Sequence, residues 1–302
     1  MERLLTHIRT YLRWYILLLF LIISLSLWSL VYYEGGRGEL KFEVLDIGQG
    51  DSLFIESPTG IQVLVDGGPH RNLIKEISKA VSFYDKHIDM LVVTNPDADH
   101  YEGFISLLDK YSVDVVLEPG TANPYPAYGV LEDKIRQKGI QKILARRGQK
   151  IDIGGGAYIE ILFPDRDVSG LSSNDGSIVA RLVYGKTSVL LQGDSTEKIE
   201  HYLVSTYNED IKSTILKVGH HGSRTSTSRE YVEKAKPEIA VISSGRNNDY
   251  GHPHKETLET LRSLNIPAYD TCNNGDLIFV SDGENFFFKN KNPKIATLGC
   301  KY

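Results

Sequence analysis

The chain contains 302 residues, of which 41% are hydrophobic and 24% charged, and 27 are glycines. These values lie near globular averages and exclude a disordered, collagen-like or low-complexity protein. The formal net charge of −5 argues against a broad basic surface that binds nucleic acid. The two cysteines, Cys272 and Cys300, cannot form a cysteine cluster for zinc and do not suggest a disulfide framework. We expect both to be incidental.

An apolar segment comes first in the chain. Residues 14–33 contain no charged side chain, and a helix of this length, at about 1.5 Å per residue, spans the hydrocarbon core of a bilayer. Arg3, Arg9 and Arg13 precede the segment. The positive-inside rule therefore predicts a single-pass protein of the cell membrane with a cytoplasmic N-terminus. A cleaved signal peptide and a buried core helix are the alternatives.

The domain boundary is expected at a glycine-rich linker near residues 35–38. Residues 1–39 would then comprise the cytoplasmic stub, the membrane anchor and the linker, and residues 40–302 one extracytoplasmic domain. Residues 1–39 contain four arginines and three glutamates, which leaves a net charge of −6 on residues 40–302. The exported domain is therefore mildly acidic.

Apolar runs bounded by Gly, Pro and Asp predict the strands and helices of this domain. The predicted strands lie at Leu40–Leu45, Ser52–Glu56, Gln62–Val65, Met90–Thr94, Val113–Leu117, Tyr158–Phe163, Ser177–Tyr184, Ser188–Gln192, Ser213–Val218, Ile239–Ser243, Ala268–Tyr269, Asp276–Val280 and Asn285–Phe288. The predicted helices lie at Asn72–Phe83, Tyr101–Lys110, Tyr128–Lys138, Thr196–Tyr207, Ser228–Lys236 and Lys255–Leu264. This order favours an α/β fold with two sheets packed face to face and helices outside.

The segment Thr94–His100 reads TNPDADH and follows an apolar run. A strand that ends in a loop with two carboxylates and an imidazole presents several ligand side chains at one edge of a sheet. Such a set suits a divalent cation. A solvated loop in which Asp99 caps the next helix is the alternative.

Three further predicted strands end at acidic or imidazole residues. Asp194 follows one strand, the pair His220 and His221 follows another, and His252 and His254 follow Ile239–Ser243. Such groups are unlikely to recur at four strand ends by chance if those ends share one side of the sheets.

These residues resemble the metallo-β-lactamase superfamily, and specifically the metallo-hydrolase domain of ComEC competence proteins. The resemblance rests on seven segments, at residues 45–52, 65–68, 94–100, 174–177, 193–194, 220–223 and 250–253. It implies a four-layer αββα sandwich, one or two metal ions between the sheet edges, and a hydrolytic reaction. A single membrane helix cannot form a DNA-transport pore, so transport itself is not predicted.

The resemblance also implies a role for individual residues. The expected metal ligands are Asn95 and Asp97 at a first ion, Asp99, His100 and His221 at a second, and Asp194 between the two. The expected catalytic residues are Asp97 or Asp99, which would accept the proton of water, and His220 and His252, which would face the substrate. The expected supporting residues are Asp66, which would orient the ligands by hydrogen bonds, and Asn174 or Asp175, near the first ion.

Asn95 departs from the superfamily pattern, in which the first motif begins with His. Its carbonyl oxygen is a weaker ligand than imidazole, and an oxygen-rich site shifts the preference towards Mn²⁺ or Mg²⁺ relative to a histidine-rich zinc site. We therefore expect a divalent cofactor, Zn or Mn, held firmly by Asp99, His100, Asp194 and His221, with a weaker second site.

The predicted function is a membrane-anchored metal-dependent phosphodiesterase, specifically a nuclease that acts on DNA and could associate with a DNA-uptake channel. A phosphoesterase acting on cell-envelope polymers and a binding protein with a decayed site are the alternatives. Lys217 and Arg224 flank the histidine pair, where each either contacts a phosphate or is merely solvated. Asp51 either belongs to the site or only fixes a hairpin, and His254 is expected to be structural.

Overall fold

The computed structural model describes residues 2–34, 38–69, 72–122, 125–207 and 211–300. The chain divides into two compact units, Met1–Arg37 and Gly38–Tyr302. Residues 35–37 of the predicted linker at residues 35–38 lie outside the described residues.

The first unit is a single helix, α1 (Glu2–Glu34). Its stretch Arg9–Ser29 is long and apolar enough to cross a membrane, and none of that stretch is buried. A membrane anchor and a signal sequence both fit this helix by length and composition.

The second unit contains two β-sheets. Its strands, within the described residues, are β1 (Leu40–Val44), β2 (Leu53–Glu56), β3 (Gln62–Val65), β4 (His87–Val92), β5 (Ser112–Glu118), β6 (Gln141–Leu144), β7 (Lys150–Asp152), β8 (Ala157–Phe163), β9 (Val179–Tyr184), β10 (Thr187–Leu191), β11 (Ile215–Lys217), β12 (Ile239–Ile242), β13 (Ala268–Asp270), β14 (Leu277–Ser281) and β15 (Phe286–Phe288). The first sheet has the order β15-β14-β1-β2-β3-β4-β5-β6, and the second has the order β13-β12-β11-β10-β9-β8-β7.

Helices cover the outer faces of both sheets. The α-helices of this unit are α2 (Asn72–Ala80), α3 (Ala98–Leu107), α4 (Pro126–Lys138), α5 (Glu197–Tyr207), α6 (Arg229–Ala235), α7 (Lys255–Ser263) and α8 (Thr271–Asn274). One apolar core fills the space between the two sheets. A second packs the first sheet against α2, α3 and α4, and a third packs the second sheet against α5, α6 and α7. This arrangement confirms the predicted αββα sandwich.

The topology brings the predicted functional segments together. In the first sheet β3 pairs in parallel with β4, and in the second β10, β11 and β12 are parallel. Parallel strands present their carboxyl ends at one edge of a sheet, and the loops at such ends are where ligands bind in α/β proteins. Five of the seven segments singled out in the sequence follow one of these five strands, whereas residues 45–52 follow β1 and residues 174–177 follow β8.

Two strands and the start of one helix differ from the sequence-based prediction. The edge strands β6 and β7 were not predicted, because their side chains are mostly exposed and give no apolar alternation. Helix α3 begins at Ala98 instead of Tyr101. Asp99 and His100 therefore lie in the first turn of a helix, which fixes their relative directions.

The expectation that the two cysteines are incidental was wrong. Cys272 and Cys300 form a disulfide bond that joins α8 to the C-terminal 3₁₀ turn Leu298–Cys300. The Oγ of Ser244 lies 3.1 Å from the Sγ of Cys300. The disulfide therefore ties the C-terminal segment to the residues that follow β12.

Candidate metal centre

The first turn of α3 is held against the loop after β1 by a close backbone contact. The backbone N–H of Asp51 donates to the carbonyl oxygen of Asp99 over 3.2 Å. Gly50, with φ of +127°, makes this approach possible, because a Cβ at this position would lie 2.4 Å from the same oxygen. The GQGD segment is thus required for a backbone contact at the site.

His100 is fully buried, and Asp66 orients its ring. The Nδ1 of His100 lies 2.8 Å from Oδ2 of Asp66. Asp66 also accepts hydrogen bonds from the backbone N–H and the hydroxyl of Thr94, at 2.8 and 2.5 Å. This partner turns Nε2 of His100 towards Asp194, whose Oδ2 lies 3.1 Å away. An outer carboxylate of this kind fixes both the ring and the tautomer of a ligating histidine.

His221 has an equivalent support on its own side of the site. Its Nδ1 lies 3.1 Å from Oδ1 of Asp51 and 3.1 Å from the carbonyl oxygen of Ser243. Its Nε2 points to Asp99 and Asp194, with oxygens at 3.3 and 3.7 Å. Asp51 therefore belongs to the site and does more than fix a hairpin.

Lys217 is buried, which contradicts both of its expected roles, contact with a phosphate and exposure to solvent. Its side chain is 0% exposed. It donates to Oδ2 of Asp51 over 2.6 Å and to the carbonyl oxygen of Val218 over 3.0 Å. Asp51 is thus a bridge between a buried ammonium and the imidazole of His221. A lysine in the apolar run of β11 was the signal that sequence reasoning overlooked.

Four side chains converge, and we call Asp99, His100, Asp194 and His221 the imidazole half of the site. Ligand atoms of Asp99, His100 and His221 all lie within 4.8 Å of one another. Within the described part of the chain, the Nε2 atoms of His100 and His221 and the Oδ1 atom of Asp194 are buried without a hydrogen-bond partner. Buried polar atoms are normally paired. Three unpartnered nitrogen and oxygen atoms that face one another fit a bound divalent cation.

The charges of the imidazole half also favour a bound cation. Burial lowers the pKa of His100 and of His221, but Asp194 and Asp66 raise the pKa of His100 well above its ordinary value, and Asp194 and Asp51 raise that of His221 to about 10. Burial raises the pKa of Asp194, yet the imidazoles hold it well below its ordinary value. The carboxylates thus favour positive charge at the centre, and a divalent cation carries as much charge as two protons.

We call the other four predicted residues, Asn95, Asp97, Asn174 and Asp175, the amide half of the site. The amide nitrogen of Asn95 donates to Oδ1 of Asn174 over 2.8 Å and to the hydroxyl of Ser177 over 3.2 Å. Its carbonyl oxygen accepts from the backbone N–H of Asp97 over 2.9 Å. These bonds occupy both ends of the Asn95 amide, so ligation of a metal by Asn95 would require them to rearrange.

The carboxylates of the amide half also have partners. Asp97 accepts from the hydroxyl of Ser173 over 2.8 Å, and burial raises the pKa of its half-buried carboxyl. Asp175 accepts from Thr196 and from Lys198, at 2.6 and 2.8 Å. The structure therefore directs Asp175 to the start of α5 and ties Asn174 to Asn95.

His220 and His252 form one wall of the site. The Nε2 of His220 lies 3.6 Å from Oδ2 of Asp194, and the side chain is partly exposed. The His252 ring lies 5.7 Å from that of His220, between ring centroids, and its Nδ1 lies 3.4 Å from the Gln49 amide nitrogen. His254, in contrast, precedes α7 and contacts the backbone of Tyr250 and Arg224, as expected of a structural residue.

Comparison with known proteins agrees with the resemblance to the metallo-β-lactamase superfamily. Residues 45–246 match the family model described as the metallo-beta-lactamase superfamily. The chain is 30% identical to ComE operon protein 3 of Bacillus subtilis over 265 residues, which cover 82% of this chain and 34% of that protein. It is 29% identical to Recombination protein 2 of Haemophilus influenzae over 263 residues, which cover 85% and 31%. The chain therefore spans about a third of the length of these curated relatives.

A solved structure shares the fold. CmlA, a diiron beta-hydroxylase from Streptomyces venezuelae, superposes with a TM-score of 0.50 at 14% identity, over 76% of this chain and 52% of that one. At this identity the likeness shows the fold alone. Together with the sequence matches, it confirms the predicted resemblance and the predicted fold class.

Proposed function

Because the chain belongs to the metallo-beta-lactamase superfamily, we propose that it is a membrane-anchored, extracytoplasmic, metal-dependent phosphodiesterase that acts on DNA. The observation that carries this proposal is the convergence of the imidazole half, whose buried inner atoms have no hydrogen-bond partner within the described residues. A reaction on DNA is supported by the similarity to ComE operon protein 3 and to Competence protein ComA of Neisseria gonorrhoeae.

The imidazole half would hold the cofactor, a zinc or manganese ion. When bound, such an ion supplies Lewis-acid activation of water and neutralises charge on the phosphoryl group. Asp97, at the mouth of the site, is placed to accept a proton from attacking water. His220 and His252 are placed to contact the phosphodiester and stabilise the leaving oxygen. Asp66 and Asp51 keep the two ligating rings fixed throughout.

We propose one firmly held ion and a weaker second position. Three inner atoms of the imidazole half, Nε2 of His100, Nε2 of His221 and Oδ1 of Asp194, make no hydrogen bond within the described residues, whereas the Asn95 amide is engaged at both ends. A ligand that must first break hydrogen bonds binds more weakly than one that is already oriented. The second ion would therefore dissociate first.

The disulfide supports an extracytoplasmic location for the domain. Disulfides form and persist in oxidising compartments and are rare in the reducing cytosol. The Cys272–Cys300 bond agrees with the orientation predicted from Arg3, Arg9 and Arg13. The resemblance to ComEC competence proteins also suggests a DNA-uptake channel as a partner, which the chain would join through its membrane helix.

A phosphoesterase that acts on cell-envelope polymers is the second candidate. The net charge of −6 on residues 40–302, which is −5 for the chain less the net +1 of residues 1–39, weakens the case for DNA and leaves room for a phosphoester polymer that is less densely charged than DNA. Long polyanions bind best to basic tracks. A decayed binding protein is less well supported, because a decayed site would not keep four converging ligand groups with unpartnered atoms.

The test uses the full chain, purified in detergent without chelator. Its metal content would be measured, and Mn²⁺, Mg²⁺ or Zn²⁺ would be added with single-stranded DNA, duplex DNA or bis(p-nitrophenyl) phosphate. We expect a stoichiometric transition metal and cleavage of DNA and of the small diester. The Asp194→Asn variant should lose both, whereas Asp109→Asn, a matched change at the surface, should keep both.

Three results would contradict parts of the proposal. Hydrolysis of the small diester without cleavage of DNA would favour the envelope esterase. Bound metal without hydrolysis of any substrate would favour a binding protein. Absence of a stoichiometric metal from the unvaried chain would remove the basis for a metal centre.

A further inference from the structure

A cavity of about 460 Å³ opens beside the imidazole half, at the start of α3 and α4. Asp97 and Asp99 line it together with Glu102, and two tyrosines, Tyr125 and Tyr250, line it as well. The side chains of Tyr125 and Tyr250 are 62% and 66% exposed. Two large exposed aromatic rings at one cavity form the kind of surface that binds a ligand.

The cavity has an unusual charge for a site that would act on a phosphodiester. Three carboxylates line it, and the described residues that line it include no lysine or arginine. Phosphate groups are therefore unfavourable inside the cavity and would lie at the imidazole half instead. A planar, uncharged ring fits better, because it can stack on tyrosine without bringing a further negative charge next to the carboxylates.

Tyr250 is connected to the site through a row of neighbouring rings. Its ring stacks on that of His252, with centroids 5.6 Å apart and an angle of 21° between the planes. The ring of His252 in turn lies 6.2 Å from that of His221, in the imidazole half. A base stacked on Tyr250 would thus extend a row of rings that begins at the ligands.

We propose that Tyr125 and Tyr250 bind a nucleobase next to the scissile phosphate, which makes unpaired DNA the substrate. This inference rests on the proposed function and specifies its substrate class. A base in a duplex is paired and stacked on both faces, so only an unpaired base can offer a face to these rings. Stacking on aromatic side chains is tolerant of sequence, and cleavage should therefore show little base preference.

The experiment compares chromogenic diesters that share one leaving group. The full chain in detergent, loaded with Mn²⁺, would hydrolyse thymidine 5′-(p-nitrophenyl) phosphate, methyl p-nitrophenyl phosphate and p-nitrophenyl phosphocholine. We expect kcat/KM to be highest for the thymidine diester. In Tyr125→Ala and Tyr250→Ala the ratio of kcat/KM between the thymidine and methyl diesters should fall roughly 5- to 30-fold each.

Matched variants separate stacking from general damage to the fold. Tyr125→Phe and Tyr250→Phe keep the ring and should keep the ratio. Tyr84→Ala removes an exposed tyrosine that does not line the cavity, and it should leave the ratio unchanged. Fluorescence anisotropy of a labelled single-stranded oligonucleotide gives a second readout that needs no turnover, and the same roughly 5- to 30-fold weakening is expected in the alanine variants.

The outcomes distinguish failure of this inference from failure of the proposed function. If no diester is hydrolysed, the proposed function fails, and the oligonucleotide anisotropy alone decides the stacking site. Equal ratios in the unvaried chain and both alanine variants, with equal oligonucleotide binding, would overturn the stacking site while hydrolysis stands. A preference for the phosphocholine diester that the alanine variants lose would overturn it too, because tyrosines beside carboxylates also bind quaternary ammonium groups.

Discussion

Both halves of the site take residues from the segment that follows β4, yet their side chains use their polar atoms differently. In the imidazole half, outer partners hold His100 and His221 at Nδ1 and leave their Nε2 atoms unpartnered within the described residues. In the amide half, Asn95 and Asn174 satisfy one another. The comparison shows that a cluster of potential ligands is not enough for a metal site. Neighbouring residues must also orient the ligand side chains and leave their inner nitrogen and oxygen atoms without hydrogen bonds.

The largest expected effect comes from removal of a charge in the imidazole half. In Asp194→Asn, one inner oxygen becomes an amide that cannot offset the charge of the ion. Loss of outer partners alone typically lowers metal affinity about 10- to 100-fold, so loss of this ligand should exceed about 100-fold. Metal content after gel filtration measures it. Retention of stoichiometric metal by Asp194→Asn would show that Asp194 is not a ligand.

The ion pair between Asp51 and Lys217, which lies beside His221, can be removed without any change to a proposed ligand. Lys217→Met leaves Asp51 buried and without its ammonium partner, and such a change typically costs about 3–5 kcal/mol. The free energy of unfolding, from urea denaturation, should fall by about that amount, and metal affinity should fall by roughly 10- to 100-fold. Lys186→Met is the matched control, because Lys186 pairs with Glu284 at the surface.

A double variant separates the two effects of Lys217. In Lys217→Met with Asp51→Asn, no uncompensated charge stays buried, so stability should recover in part while metal affinity stays low. If stability recovers and metal affinity recovers fully as well, the charge on Asp51 has no role in the orientation of His221.

Removal of the disulfide tests whether the C-terminal segment also stabilises the domain near the site. The backbone N–H of Gly299 donates to the carbonyl oxygen of Pro253 over 3.0 Å, one residue after His252. For a sequence separation of 28 residues, loss of the cross-link in Cys272→Ser with Cys300→Ser should cost about 3.5 kcal/mol. Thermal unfolding with and without dithiothreitol would measure it. An unchanged melting temperature on reduction would show that the bond does not constrain the domain.

Sequence reasoning reached the four proposed ligands but not all of the residues that orient them. Asp99, His100, Asp194 and His221 follow strands with clear apolar patterns, so their meeting at one edge could be predicted from topology. Lys217 and the edge strand β6 could not, because burial of a lysine and pairing of an exposed strand depend on partners far away in the chain. Asp51 contacts Lys217 across 166 residues, a pairing that no local pattern records.

The smallest effect is expected from Asn95→His, which places an imidazole in the amide half and tests whether this half can then bind an ion. Asn95→His restores the residue with which the first superfamily motif usually begins, and it removes the amide that bonds to Asn174 and Ser177. Overpacking of this buried position costs about 1–3 kcal/mol, so the gain in affinity for a second ion should be modest, roughly tenfold. Metal titration at saturating Mn²⁺ should show the ratio of ions to chains rise from one towards two.

Asn95→Ala, which removes the amide without adding a ligand, should keep a ratio of one ion per chain. A ratio that stays at one in a folded Asn95→His variant would mean that the amide half lacks more than an imidazole, and that the fixed positions of Asp97 and Asn174 exclude the second ion.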